Sequence, residues 1–580
     1  MEDSNKKILL AFALSFAVLM VWRFVFPPPV EPPAKIAAPG QAPAAAAKPA
    51  APAASPASAA SPAVVTPASL PVQQGSKAEI IVIENDVARV TFSTEGAIVK
   101  SWILKKFVDE KGEPLEIVND AACSALGFPM SLGLPDQELA KKLNAGIYLA
   151  TPAGATLAAP AKLEFVFSDG KIQVRKALTF SAGYDLRAEV SVFDGQRYLP
   201  AEVAWPGGFG DHSLPPERAM LADHAAFQAV GSDKPQKESL TPSFLGRFFS
   251  SQPTPANGRI DIPGPLSLAG LEDRYFAGIF FPESPDQAFR IGRLAWTPPD
   301  WKGKESERPK PLTAWLRSDA AKPLAFRLFV GPKDPDVLRA VNPPLDHLID
   351  YGWFSFVARP LFLGMRYLHD HWTHNFGWSI VLLTILINLA LFPIKLKQIR
   401  SGQEMQRVGP IVKGIQDKYK NYKFNDPRKQ KMNQEVMKVY QEHGINPLSG
   451  CLPMLIQLPF LYGFYKVLDL SIELRHAPWL WWVRDLSAHD PYYILPVVMT
   501  VTMFFMQKIT PMATPDPAQA RMFMLMPLFM GFMFLKFASG LVLYWLTGNV
   551  IGIAQQLLIN RFIPKPAPVT VPRRGAAKEE

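Results

Sequence analysis

Residues 376–400 read FGWSIVLLTILINLALFPIKLKQIR, and this stretch decides the fold. Residues 376–394 are apolar apart from a few hydroxyl and amide side chains, and the run is long enough to cross a bilayer as a helix. Lys395, Lys397 and Arg400 follow at once, and basic residues beside a span mark its cytoplasmic end. The stretch therefore predicts an oriented membrane-spanning helix.

Comparable apolar runs predict five more spans, which lie at 8–26, 452–468, 492–506, 522–535 and 541–559. The chain has 61 Lys and Arg against 51 Asp and Glu, a net charge of +10. Many of the basic residues lie beside the apolar runs, so they indicate topology in preference to sequence-specific nucleic-acid binding. Six spans with both termini in the cytoplasm agree with the distribution of basic residues in every loop. In this topology the large polar insert is periplasmic.

The domain prediction follows from these composition shifts. A cleaved signal peptide is the weaker alternative for the first segment, because its apolar run exceeds the usual 7 to 15 residues or so. The predicted parts are an N-terminal anchor (1–26), a Pro/Ala-rich linker (27–76), a periplasmic β-sandwich (77–340), an interfacial amphipathic segment (341–375), a five-helix core (376–563) containing a cytoplasmic helical hairpin (403–443), and a basic tail (564–580).

No catalytic motif is present in the sequence. It has no His-Glu-x-x-His, no Gly-x-Ser-x-Gly and no phosphate loop, so we expect no enzyme activity and no cofactor. His369, His371 and His374 lie close together but lack a second cluster of ligands, so we expect no metal site.

Uncharged polar side chains interrupt the apolar runs. They either belong to a functional site or form hydrogen bonds between helices, and the position of Asn388 inside a span favours the functional site. Methionines concentrated in the fifth span offer a flexible apolar surface, or fill an irregular core. The hairpin lysines and arginines attract phosphate, or only set the topology.

Four motifs resemble the YidC membrane insertases of Gram-negative bacteria. They are NPLSGCLPMLIQLP (446–459), DLSAHDPYYILP (485–496), MFFMQK (503–508) and SGLVLYW (539–545). The resemblance covers nearly the whole chain and implies a multi-pass inner-membrane protein. It also implies that nascent membrane proteins enter the bilayer through a hydrophilic groove, with or without the Sec translocon, and that the ribosome and the signal-recognition-particle pathway are further candidate partners.

The resemblance also assigns roles to residues. The groove would contain Thr384, Asn388, Gln457, Gln507, Tyr544, Trp545, Gln555 and Gln556. An apolar slide for the client's membrane segment would contain Pro459, Met522, Met524, Met526, Met530 and Met533. The cytoplasmic rim and hairpin would contribute Lys395, Lys397, Lys508, Lys413, Lys418, Lys420, Arg428 and Lys429.

The sequence departs from the family pattern at Asn388, where an Arg is common. An amide holds water and forms hydrogen bonds but carries no charge. We therefore expect the groove to act chiefly by hydration, with Lys395, Lys397 and Lys508 at the rim adding a weaker, salt-screened attraction. Two other classes stay open, a polytopic transporter and a periplasmic scaffold, although the sequence lacks the internal repeat typical of transporters.

Overall fold

The computed structural model describes residues 70–152, 154, 156–213, 224–238, 259–298, 301, 310–318, 321–419, 422, 426–445, 452–510 and 517–562. The predicted anchor at 1–26 and the predicted tail at 564–580 lie outside these residues, as does the predicted linker up to residue 69. Those three predictions are therefore untested.

Nineteen strands among the described residues form a β-domain. They are β1 (Ile80–Glu84), β2 (Ala88–Ser93), β3 (Ile98–Val108), β4 (Pro114–Glu116), β5 (Ser131–Gly133), β6 (Leu149–Thr151), β7 (Thr156–Ala158), β8 (Ala161–Ser168), β9 (Gln173–Phe180), β10 (Asp185–Phe193), β11 (Ala201–Trp205), β12 (His224–Ala229), β13 (Gln236–Glu238), β14 (Arg259–Ile262), β15 (Leu266–Glu272), β16 (Phe276–Pro282), β17 (Gln287–Arg293), β18 (Leu312–Ser318) and β19 (Leu324–Pro332).

These strands form three sheets. The largest has nine strands in the order β13-β12-β15-β16-β19-β10-β9-β8-β6, and the two smaller sheets are β4-β3-β2-β1-β7 and β14-β17-β18-β11-β5. All pairings are antiparallel except that of β1 with β7. Side chains from all three sheets share one apolar core. The predicted β-rich domain is confirmed.

Strand β16 is buried on both faces. Phe276 and Phe280 point into the core of the β-domain, whereas Ala277, Ile279 and Phe281 belong to a second apolar cluster that includes the helices. Successive side chains of a strand point to opposite faces, so a continuous apolar run fits a strand that is covered on both sides. The nine-stranded sheet therefore joins the β-domain to the helical part of the chain.

The start of the described chain departs from the linker prediction. Gln73 donates a backbone hydrogen bond to Ser168, and Gly75 donates one to Ile147, each over 2.9 Å. Leu70 bonds to Gly170 in the same way, so the chain from Leu70 onward lies along the β-domain. The predicted linker boundary at residue 76 is therefore too late by about six residues, because backbone pairing holds a segment whose composition alone predicts none.

Eleven α-helices occur in the described residues, two of them within the β-domain. They are α1 (Asp120–Leu126), α2 (Gln137–Ala145), α3 (Pro335–Ala340), α4 (Ser355–Leu368), α5 (Phe376–Ala390), α6 (Phe392–Lys418), α7 (Pro427–Glu442), α8 (Leu452–Leu470), α9 (Ile494–Ile509), α10 (Pro517–Phe534) and α11 (Ser539–Phe562). Helix α9 packs against α10 and α11, α5 against α4 and α11, and α4 against α8.

Helix α5 ends earlier than the span predicted at 376–394. Its last residue is Ala390, and α6 begins at Phe392 with Pro393 in its first turn. Proline has no N–H to continue the hydrogen bonding of α5, but it is tolerated where a new helix starts. The hairpin predicted at 403–443 falls on the later part of α6 and on α7, whose apolar residues Val412 and Tyr440 share one small cluster.

By length and apolarity, one described helix could cross a membrane alone, and it is α11. The pair Ser355–Thr373 and Phe376–Ala390 would add a second span if both parts belong to it, but they are bent by 116°. Ile494–Ile509 and Met524–Phe534 are apolar but shorter. The six spans expected from the sequence stay a prediction.

Ion pairs join the β-domain to the end of the helical bundle that faces it. Arg475, which follows α8, pairs with Asp211 over 2.6 Å, and both side chains are almost completely buried. Asp469 near the end of α8 pairs with Arg274, which also donates to the Asp469 carbonyl oxygen over 2.9 Å. These contacts fix the β-domain against the helices.

We expect Arg475→Met to destabilise the protein by about 3–5 kcal/mol, because it leaves the Asp211 carboxylate buried without its counter-charge. The double variant Arg475→Met/Asp211→Asn removes that charge and should recover much of the loss. Thermal unfolding of the detergent-solubilised full chain measures both. Equal losses in the single and double variants would contradict this account.

Glu473 lies in a short turn next to the same junction, at Ile472–Leu474. Burial raises the pKa of Glu473 to about 7 from an ordinary value of 4.5, and the nearby carboxylate of Asp334 adds to the shift. Between pH 4.5 and 7 the folded protein therefore holds a proton that the unfolded chain has released. The free energy of unfolding therefore falls as the pH rises from about 4.5 to 7. Above that range Glu473 causes no further change in it.

Glu473→Gln should stabilise the protein at pH 8, because the amide imitates the protonated acid. The expected gain is roughly 3 kcal/mol, at about 1.4 kcal/mol for each unit of the pKa shift. The gain should shrink strongly at pH 5. Chemical unfolding at the two pH values tests this, with Glu138→Gln on an exposed helix surface as the matched control. A gain of equal size at both pH values would show that proton uptake by Glu473 is not its cause.

Candidate functional site

A polar cluster lies where α5, α6 and α11 meet. The Lys395 ammonium donates to Asn388 Oδ1 over 3.1 Å and to Gln555 Oε1 over 3.2 Å. Gln555 Nε2 in turn donates to the Asn388 carbonyl oxygen over 3.3 Å. The three side chains thus connect three helices at the end of α5 that is remote from the β-domain.

The break between α5 and α6 places these groups together. Asn388 lies in the last turn of α5, and its Nδ2 donates to the Thr384 carbonyl oxygen over 2.8 Å. Lys395 lies in the first turn of α6, two residues after Pro393. Because the chain restarts a helix at Phe392, the Lys395 side chain can reach back to Asn388 seven residues earlier.

Gly552 leaves space for the cluster on α11. A Cβ atom at this position would lie 3.1 Å from Met506 Cε and 3.6 Å from Lys395 Nζ. The first distance is tighter than usual for a Cβ contact, so a side chain here would displace Met506. The absence of a side chain lets α9 and the lysine approach α11 closely.

The Lys395 ammonium is half-buried, and no carboxylate among the described residues forms an ion pair with it. Its two partners are neutral amide oxygens. A cation in such surroundings keeps most of its charge available to a further anionic group, and the low dielectric around it strengthens the attraction. The cluster can therefore hold water and accept a carboxylate.

Lys395 was expected at the cytoplasmic rim, and the structure adds which groups it contacts. Its ammonium lies inside the cluster with Asn388, while Lys397 and Lys508 are exposed. The sequence contained the necessary spacing, but apolar periodicity cannot show that a helix break turns Lys395 back toward Asn388.

Other predicted groove residues have ordinary packing roles or separate partners. Thr384 is buried and donates to the Ile380 carbonyl oxygen in its own helix over 2.6 Å. Gln556 is buried and donates to Asn560 Oδ1 over 2.9 Å, and Gln507 is half-buried on α9. The side chain of Gln457 lies outside the described residues.

The two aromatic residues of the predicted groove pack within the bundle. Tyr544 stacks on Phe464 of α8 with ring centroids 4.4 Å apart, and Trp545 meets Phe534 edge-on at 5.1 Å. These contacts connect α11 to α8 and α10. Stacked rings of this kind stabilise the helix packing that holds the polar cluster in position.

The methionines of the predicted slide divide by exposure. Met524, Met526 and Met533 on α10 are exposed, whereas Met530 packs against the helical core. Pro459 is half-buried within α8, and the Met522 side chain lies outside the described residues.

The hairpin residues are largely open to solvent. Lys413, Lys418 and Arg428 are exposed and Lys429 is half-buried, while Lys420 lies outside the described residues. Arg428 also lies over the ring of Tyr422 at 4.1 Å.

Sequence reasoning missed Asn549 on α11. Its Nδ2 lies 3.2 Å from Thr502 Oγ1 and 3.4 Å from the Met499 carbonyl oxygen, so it connects α11 to α9. An amide inside an otherwise apolar run was the available signal. Two of the three histidines near α4 have ring contacts, with His371 stacked on Tyr367 and His369 on Phe376. Within the described ranges no group of His, Cys, Asp or Glu is arranged to hold a metal ion.

Comparisons with known proteins agree on one family. The family described as 60Kd inner membrane protein matches residues 367–566, and the family described as YidC periplasmic domain matches residues 264–363. A membrane protein insertase YidC of Syntrophus aciditrophicus (strain SB) is 32% identical over 575 residues, which cover 96% of this chain and 99% of the relative.

A second relative of the same name, from Geotalea uraniireducens (strain Rf4), is 32% identical over 586 residues, covering 97% of this chain and 100% of the relative. A solved structure of an active YidC insertase with its first transmembrane domain resolved is 19% identical, with a TM-score of 0.34, and covers 84% of this chain and 94% of that chain. Identity of this extent along nearly the full length shows that the chain belongs to the YidC family of membrane protein insertases.

Proposed function

We propose that this protein inserts nascent membrane proteins into the bacterial inner membrane. In this proposal the chain spans the membrane six times, with both termini in the cytoplasm and the β-domain in the periplasm. Family membership supports the function, and the polar cluster of Asn388, Lys395 and Gln555 among apolar helices is the observation that carries the mechanism.

The cluster shortens the apolar barrier that a client tail must cross. A hydrophilic tail loses its hydration in hydrocarbon, and the cost is several kcal/mol for each unsatisfied polar group. Amide groups and a cation at the cytoplasmic end of α5 let the tail keep water and hydrogen bonds for part of the path. The client's apolar segment then leaves sideways along α10, where Met524 and Met526 present an exposed, adaptable surface.

Lys395 supplies the positive charge that Asn388 lacks. Its ammonium lies beside the Asn388 amide, so a client carboxylate that reaches Asn388 also reaches the cation. This changes the expectation of a groove that acts chiefly by hydration. Asn388 and Gln555 then orient the lysine and hold water around it.

Partners follow from the exposed charges and from the family. The hairpin residues Lys413, Lys418 and Arg428 attract ribosomal RNA phosphates or anionic lipids without sequence specificity. Delivery by ribosomes and the signal-recognition-particle pathway, and work alone or beside the Sec translocon, are part of this proposal.

Depletion of the protein tests the function directly. We expect small membrane proteins with two spans to fail to insert in depleted cells, and protease protection of their translocated loops to disappear. Re-expression of the full chain should restore protection. Normal insertion in depleted cells that hold no second insertase would refute the proposal.

Replacing Lys395 tests the charge in the groove. Lys395→Gln should reduce insertion of a client with three carboxylates in its tail by about fivefold, or roughly 1 kcal/mol, while a client with a neutral tail changes little. Lys395→Arg should retain insertion, because it keeps a cation in the cluster. Asn388→Leu should impair both clients, because it removes the amide oxygen that holds both the lysine and water.

Arg400→Gln is the matched control, since it removes one positive charge at the same end of α5 and α6 from an exposed position. Any effect on topology should then appear in both variants. If Lys395→Gln and Arg400→Gln reduce insertion of each client by the same factor, the charge in the groove has no specific role.

A further inference from the structure

A cavity of about 780 Å³ lies between part of the β-domain and the helical bundle. The β-domain contributes residues that include Arg274 and Lys333, and the helical part contributes the ends of α8 and α11 and the turn between α10 and α11. Cavities of this size hold small molecules or lipid headgroups in many proteins. The polar cluster around Asn388 is not part of its lining.

Most charges in the lining are used to hold the walls together. Glu272 pairs with Lys237 over 2.5 Å and with Lys333 over 3.3 Å, and Lys237 also donates to the Leu348 carbonyl oxygen over 2.7 Å. Arg274 pairs with Asp469 across the cavity. The pair of Arg274 and Asp469 joins the two sides of the cavity, whereas the two pairs of Glu272 lie within the β-domain.

Two lysines and the carboxylates of Asp350 and Glu110 remain outside these pairs. Lys466 lies four residues before the end of α8 and is half-buried, and Lys536 is exposed in the turn before α11. Neither lysine forms an ion pair with a residue in the part of the chain that the structure describes. Asp350 lines the same cavity, and its Oδ1 accepts only the backbone N–H of Gly352 there.

The position of the lysines is costly in the proposed topology. Lys466 and Lys536 would both lie on the periplasmic side, where basic residues near spans are depleted. Asp469 cannot offset this cost, because it pairs with Arg274. Neither Asp350 nor Glu110 forms an ion pair with either lysine among the described residues. Two cations in such a place indicate an anionic ligand.

The same cavity has an apolar part. Leu468, Phe537 and Leu541 contribute to its lining. The exposed residues Phe529 and Phe532 lie on α10 just before the turn that carries Lys536. A ligand that satisfies both parts has a charged head and an apolar tail, and bilayer lipids are amphiphiles of this type.

We propose that this cavity binds the headgroup of a zwitterionic phospholipid from the periplasmic leaflet. Lys466 and Lys536 hold its phosphodiester, and Asp350 accepts its ammonium group. The acyl chains extend past Phe537 along α10. The assignment to this leaflet rests on the proposed six-span topology, whereas the headgroup contacts rest on the cavity itself.

Native mass spectrometry of the full chain, purified from nanodiscs with equal amounts of phosphatidylethanolamine, phosphatidylglycerol and phosphatidylcholine, tests the site. Wild type should retain one phosphatidylethanolamine per chain. Lys466→Gln/Lys536→Gln should retain at least fivefold less, and Lys536→Gln alone, on an exposed side chain, should give a partial loss without a folding defect. Lys106→Gln, an exposed lysine of β3 outside the cavity, should match wild type.

Asp350→Asn separates the two headgroup contacts. It removes the partner of the ammonium but leaves both lysines, so retention should shift from phosphatidylethanolamine to phosphatidylglycerol. Lipid retention that is the same in wild type and the double variant would overturn the site, and so would an acidic peptide bound there in place of lipid. Insertion assays on the same samples distinguish the lipid site from the proposed function. Wild-type protein that binds the lipid but fails to insert clients would contradict only the proposed function.

Discussion

A charged amine between two amide oxygens, inside a bundle of otherwise apolar helices, is the constraint on which the rest of the helical part depends. Lys395 can stay there only because Asn388 and Gln555 offer it oxygen partners from two other helices. Burying a charge without such partners costs far more than a typical single interaction contributes to stability. The early end of α5, the restart of the chain at Phe392 and the bare backbone at Gly552 all serve to bring these groups within hydrogen-bond distance.

The β-domain depends on a related constraint at the other end of the bundle. Strand β16 has no solvent-exposed face, since its alternate side chains enter two different apolar cores. The buried pair of Arg475 and Asp211 then connects the β-domain to the turn after α8 with a fixed geometry. Apolar burial supplies the stability of this junction, and the ion pair supplies its register.

The helices, the β-rich domain and the family were predictable from the sequence, because hydrophobic periodicity and short motifs report them directly. The environment of Lys395 could not be predicted from the sequence, because its spacing from Asn388 has no meaning until the helix break at Leu391 is known. Lys466 was equally visible in its apolar run, but only the tertiary structure places it beside Asp350 in one cavity. Residues 70–75 show the same limit, because composition cannot reveal that a strand of the β-domain offers backbone partners.

Helix α6 has a mechanical consequence. It carries Lys395 in its first turn, and it continues to Lys418 at the far end of the hairpin over 27 residues, a length of about 40 Å at 1.5 Å per residue. Pro410 lies inside this helix and removes one of its hydrogen bonds. If the helix moves as one straight rod across Pro410, a tilt of about 10° at its base displaces its tip by roughly 7 Å. Force applied to the hairpin by a bound ribosome would therefore reach the lysine as a rotation. In the proposed function, the segment that would meet the ribosome and the lysine that would meet the client therefore belong to one helix.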